Sequence, residues 1–163
     1  MAKRKKTTSE RGKFKQTIHS ALYKSEEIKE LMLGDISKMK VAEITKAFKE
    51  QVNSHLFIDD TITETKSYIF YDVTFPWMHE NTKECQIHMY IVCHRDILDN
   101  YFKEGYYGNR ADILLEMVED ALINDEEIVN KFGIGKLELD SVDVYNSRTL
   151  YGTYVVFRVP DFR

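Results

Sequence analysis

The decapeptide CQIHMYIVCH, residues 85–94, gathers two cysteines and two histidines, half the ligand vocabulary of a zinc centre. Immediately after it, His94, Arg95 and Asp96 spell the opening of a protein-kinase catalytic loop. Whether either chemistry is available depends on geometry. The run alternates as a strand does, with Cys85, Ile87, Met89, Ile91 and Cys93 on one face and Gln86, His88, Tyr90, Val92 and His94 on the other. In a strand Cys85 and Cys93 stand roughly 26 Å apart and His88 and His94 roughly 20 Å apart. Zinc ligands sit about 2 Å from the metal, so neither pair converges. The remaining histidines, His19, His55 and His79, are scattered, and there is no third cysteine. Buried thiols in a core strand are the expectation, with no metal and no cofactor.

Other catalytic patterns fail on spacing. In HRDILDN, Asn100 follows Asp96 by four residues where the kinase loop needs five, and no glycine-rich loop or Asp-Phe-Gly accompanies it. The GIGK at 133–136 lacks Walker spacing and reads as a turn. The Glu64-Thr65-Lys66 triplet resembles the Glu-x-Lys of metal-dependent nucleases, but Asp59 and Asp60 lie too close to occupy a separate strand. No Gly-x-Ser-x-Gly occurs and neither cysteine has a catalytic context. No catalytic residue is assigned and no enzyme is expected.

The elements that would position these residues read as one α+β domain. A chain of 163 residues can bury roughly 70% of its unfolded surface. Ten Tyr and nine Phe favour strands and packed interfaces over a plain helical bundle. Helical spacing runs from Lys15 to Gly34, with Ser25 as an N-cap between two pieces. A second helix runs over about 40–54, with Val41, Ile44, Phe48 and Val52 as its stripe. Residues 65–75 make a strand closed by Pro76, followed by the opening strand. Asn109 caps a helix over NRADILLEMVEDALIND, and two strands, GKLELDSVDVY and LYGTYVVFRV, close the chain. The apolar phase slips near Ser141, which predicts a bulge there. The predicted order is ααββαββ, a mostly antiparallel sheet of about four strands with helices on one face.

Charge divides the chain. Residues 1–15 carry seven basic and one acidic residue, Lys3, Arg4, Lys5, Lys6, Arg11, Lys13 and Lys15 against Glu10. Residues 16–163, read as the single domain, have a net charge of −10. The first segment is expected to be a solvated basic arm, with binding to a polyanion or an acidic partner as its functional reading. There is no apolar run of about 18 residues to span a membrane and no apolar core behind the initial charges to make an export signal. Two aromatic segments, Trp77-Met78 in a connection and Tyr101, Phe102, Tyr106, Tyr107 around a glycine, are candidates for partner contact. His88 and Tyr90, on the face opposite the core, are a further candidate.

The helix NRADILLEMVEDAL after a Tyr/Gly loop, the ending YGTYVVFRVPDF and the element order together make residues 40–163 resemble the tail-terminator, or tail-completion, proteins of long-tailed bacteriophages. The amino-terminal 35 residues exceed the usual compact member, which leaves another neck protein of the same particle open. The resemblance implies a non-enzymatic ring of typically about six copies. Such a ring caps the tail tube, meets a head-side connector and lets DNA pass without specific binding. It also implies a place in the virion after assembly in the host cytoplasm. The competing expectation is a nucleic-acid-binding accessory protein acting through the basic arm.

Overall fold

The computed structural model describes residues 9–59, 61–79, 83–131 and 137–162. Among these residues five α-helices, α1 (Ser9–Lys24), α2 (Glu26–Leu33), α3 (Val41–Gln51), α4 (Arg110–Ile123) and α5 (Glu126–Lys131), accompany five strands. These are β1 (Val52–Asn53), β2 (Ser67–Met78), β3 (Lys83–His94), β4 (Glu138–Asn146) and β5 (Leu150–Phe162). The sheet order is β1-β2-β3-β5-β4, so CQIHMYIVCH lies on the central strand. Every pairing is antiparallel except the short β1–β2 contact, Val52 opposite Ile69 and Asn53 opposite Phe70.

The helices break where short polar side chains and glycine demand it. The Ser25 hydroxyl accepts from the Ile28 N–H and starts α2; Gly34, at φ +82°, ends it and returns its N–H to the Glu30 carbonyl. Asn109 and Asp112 exchange side-chain and backbone hydrogen bonds at the start of α4, a complete capping box. Helix α1 begins at Ser9, earlier than the periodicity alone places it. The stripe of α3 is narrower than the sequence implies: Phe48 is fully buried, Val52 belongs to β1, and Val41 is 74% exposed at the first turn.

Alternation along β3 aims Cys85, Ile87, Met89 and Ile91 into one core, completed by Ile69, Tyr71 and Val73 of β2 and Val155, Phe157 and Val159 of β5. Phe14, Ile18 and Leu22 of α1, Ile28 and Leu31 of α2, and Leu114, Val118 and Leu122 of α4 close it. Burying each such side chain stabilises the fold by about 1.5–3 kcal/mol. Gln51 is a buried polar link at the rim, its amide nitrogen donating to the carbonyls of Met32 (2.9 Å) and Ser67 (3.0 Å). That satisfies a group which would be costly to bury alone.

Two strand boundaries differ from the sequence reading. Pro76 does not close β2, which runs on to Met78 through a register shift between Thr74 and Trp77. Since β1 covers only Ile69 and Phe70, the later part of β2 is an edge, where proline's missing N–H costs no ladder bond. Trp77 and Met78 therefore belong to a strand end and not to a connection. The bulge expected near Ser141 is present as a register shift between Leu139 and Ser141.

Candidate assembly surfaces

Three surfaces stand out among the described residues: the sheet face away from the helices, the β4 edge, and the β1–β2 edge.

The open face is not bare. Ile58 and Ile62, from the segment after β1, pack on a small cluster of Tyr68, Phe70, Val92 and Leu150. Beside it, Tyr90 leans on Tyr145 and Tyr154, both at 5.0 Å between ring centroids. His88 is held from both ring nitrogens, Nε2 at 3.0 Å from the Thr74 hydroxyl and Nδ1 at 2.5 Å from the Tyr154 hydroxyl. Its imidazole is held below the usual histidine value by burial, against the opposing pull of Asp72. These side chains are half-buried and engaged with one another, so the centre of this face is a satisfied polar–aromatic layer.

The β4 edge differs. Strand β4 pairs only with β5 among the described residues. Register places Val142 opposite Val155 and Val144 opposite Thr153, on the helix side of the sheet. Helix α4 packs against β3 and β5, and the two valines are 47% and 68% exposed. Asp140 and Asp143 are exposed on the same strand and form no ion pair among the described residues.

The β1–β2 edge is closed by cations from α1. Arg11 donates to the Val73 carbonyl (2.7 Å) and to the Asp72 carboxylate, and Lys15 reaches Asp72 at 2.9 Å and the Ser54 carbonyl at 2.9 Å. Burial works to raise the Asp72 carboxyl. The Lys15 hydrogen bond, the Val73 N–H and the charges of Lys15 and Arg11 outweigh it, and the group is held below the usual carboxylate range. Next to this edge, α1 and α3 frame a cleft of about 770 Å³ lined by Lys15, His19, Lys46, Lys49, Val52 and His55, among others. Lys46 and Lys49 have no ion pair among the described residues.

The remaining residues singled out from sequence fall in mixed surroundings. Trp77 and Met78 are exposed, with the Trp77 ring edge-on to His79. Tyr101 lies under the Arg110 guanidinium, which donates to the carbonyls of Ile97 and Leu31. The Tyr106 hydroxyl donates to Glu27, whose hydrogen bond, with burial adding to it, pushes the phenol up to about 12. Tyr107 and Phe102 are open to solvent. Of the basic arm, Arg11, Lys13 and Lys15 lie on α1, while Lys3, Arg4, Lys5 and Lys6 lie outside the described residues, as does the 133–136 turn.

The catalytic-looking triplets have structural work. The His94 imidazole accepts from the Asp96 N–H and caps a 3-10 turn, and Arg95 donates to the Ser147 carbonyl. Glu64 and Lys66 pair with each other at 2.6 Å. Cys93 is buried, which pushes its thiol up to about 11 and leaves little thiolate at neutral pH. Among the described residues no group of three or more His, Cys, Asp or Glu could hold a metal ion, and no helix is long and apolar enough to cross a membrane.

Sequence reasoning missed two features. One is the cleft, because it exists only once α1 packs beside α3; Lys46 reads simply as solvent-facing. The other is the uncovered side of β4, for which the Val-Asp-Val alternation was a signal without a partner.

Helices on one face, a covered aromatic layer on the other and dissimilar sheet edges define a two-layer α+β domain. A family model matches residues 16–159, and the chain belongs to that family, YomW, which is SPBeta-like and phage-encoded. No curated protein shows significant similarity to the chain.

Proposed function

We propose that this phage protein is a structural ring subunit of a tail or neck, capping the tail tube and joining it to the head-side connector without catalysing a reaction. The observation that carries this reading is the β4 edge, a nine-residue strand with one side unpaired among the described residues and two valines left uncovered by the helices. An exposed strand edge is a template for pairing with another chain. The acidic body supports the same reading, since a channel of that charge repels DNA phosphates and lets a genome slide.

The rival, nucleic-acid binding through the amino-terminal cations, loses two of its seven charges, because Arg11 and Lys15 are bonded to Asp72 and the sheet edge. Native mass spectrometry of the full chain, with and without the tail-tube protein of the same phage, tests the proposal. A ring of about six copies is expected when the tube protein is present. A monomer that ignores both tube and connector proteins sinks the ring reading. Salt-sensitive DNA binding that is lost on deleting residues 1–15 favours the rival.

A further inference from the structure

The two outer edges of the sheet are opposite in charge as well as in place. At one end β4 presents Asp140, Asp143 and the exposed Val142 and Val144. At the other, the α1–α3 cleft beside β1 presents Lys46 and Lys49 over Val52 and Tyr71, and Phe57, two residues beyond the cleft's His55, is 72% exposed. In a body of net charge −10, the cleft's lining sets Lys15, Lys46 and Lys49 against Glu50 alone, a local excess of positive charge that suits an acidic mate.

Self-pairing of β4 across a two-fold axis is disfavoured by its own charges. Centred on Asp143, an antiparallel pair would set Asp143 against its own copy and Val142 against Val144, and like charges directly opposite are destabilising. The bulge between Leu139 and Ser141 also bends the strand away from extended pairing, leaving Val142–Asn146 as its regular part. An edge built this way selects a basic mate. The opposite, β1–β2 edge shows how a lysine from the helix layer meets an acid of the sheet: Lys15, on α1, reaches past the rim to Asp72, whose β3 neighbour is the open-face His88.

We infer that the β4 edge of one copy docks into the Lys46–Lys49 cleft of the next, so that subunits join head to tail. Val142 and Val144 enter the cleft on the helix side, over Val52, Tyr71 and the lysine stems. Asp143, on the other face of β4, takes a lysine as Asp72 takes Lys15. Because the donor and acceptor surfaces differ, the contact is heterologous and propagates around a ring instead of closing as a dimer. This rests on the ring reading and supplies its subunit interface.

Two variants of the full chain test it, D143K and K46E/K49E, both confined to exposed positions. Native mass is followed across a concentration series, with and without the tail-tube protein. Each variant alone is expected to weaken self-association by roughly tenfold or more. An equimolar mixture is expected to regain it, since in an alternating ring the reversed edge meets the reversed cleft at one junction and two unaltered surfaces meet at the next. Association that survives K46E/K49E unchanged, or variants that fail to complement, overturns the interface and leaves the ring reading standing. No association of the wild type under either condition overturns both.

Discussion

A methyl group on Gly152 would lie 2.0 Å from the carbonyl oxygen of Ile91 and 2.7 Å from the Val92 Cα. Both contacts are backbone of the central strand, which is pinned between β2 and β5 and cannot step aside. Gly152→Ala should therefore cost roughly 3 kcal/mol or prevent folding, an overpacking effect at its upper end. Gly12→Ala is the matched control, lying in α1 with nothing within 4 Å of the added carbon. There the same substitution should add about 1 kcal/mol through helix propensity. Urea unfolding of both variants reads the two signs; equal effects would contradict the close approach at Gly152.

Asp72 joins α1 to the sheet edge, and its depressed carboxyl gives the joint a pH dependence. A carboxyl held lower in the folded than in the unfolded chain contributes stability that is present above the unfolded value, near 3.8, and is lost as pH falls through the folded one. Asp72→Asn should cost about 1–2 kcal/mol at neutral pH, the scale of charge-assisted hydrogen bonds discounted for partial exposure. The gap between variant and wild type should close in acid. Denaturant midpoints taken down a pH series check this, and a gap that does not narrow as pH falls below 3.8 rules the linkage out.

The legible parts of this fold are those set by local chemistry. The alternation of Cys85 to Cys93, the caps at Ser25 and Asn109, the stop at Gly34 and the bulge near Ser141 all have causes within a few residues, and each is visible in the sequence. What stayed hidden depends on partners far along the chain. Strand β1 is two residues long and exists because Ile69 and Phe70 lie beside it. Trp77 and Met78 are strand because Glu84 and Lys83 pair with them, in spite of Pro76. Arg11 and Lys15 look like part of a solvated arm until Asp72, some sixty residues on, arrives beside them. The cleft follows the same logic, since periodicity shows which side of α3 is polar but not which helix stands next to it.

Asn109 offers the simplest check on a locally determined element. Its side chain accepts from the Asp112 N–H at 3.0 Å and Asp112 returns a bond to the Asn109 N–H at 3.0 Å. Asn109→Ala removes one half of the box and should cost about 1 kcal/mol. The loss should appear as faster amide exchange in the first turn of α4 as well as a lower unfolding midpoint. A midpoint shift without local exchange would mean that the cap is not what the residue supplies.

His19 and His88 predict a second pH dependence, of opposite origin to that of Asp72. Both imidazoles are held low mainly by burial, with Lys49 adding to the effect at His19 and Asp72 opposing it at His88. The unfolded chain therefore takes up protons first as pH falls. Stability from these residues is full above the unfolded value of 6.5 and declines below it, until the folded values are reached. Tyr154→Phe removes the hydroxyl that holds Nδ1 of His88 and leaves His19 untouched. NMR titration of the ring protons should show both histidines titrating below the usual range in the wild type, with only His88 moving in the variant. If His88 titrates at 6.5 or above in the folded wild type, the imidazole is not the neutral, doubly held ring that ties β2, β3 and β5 together.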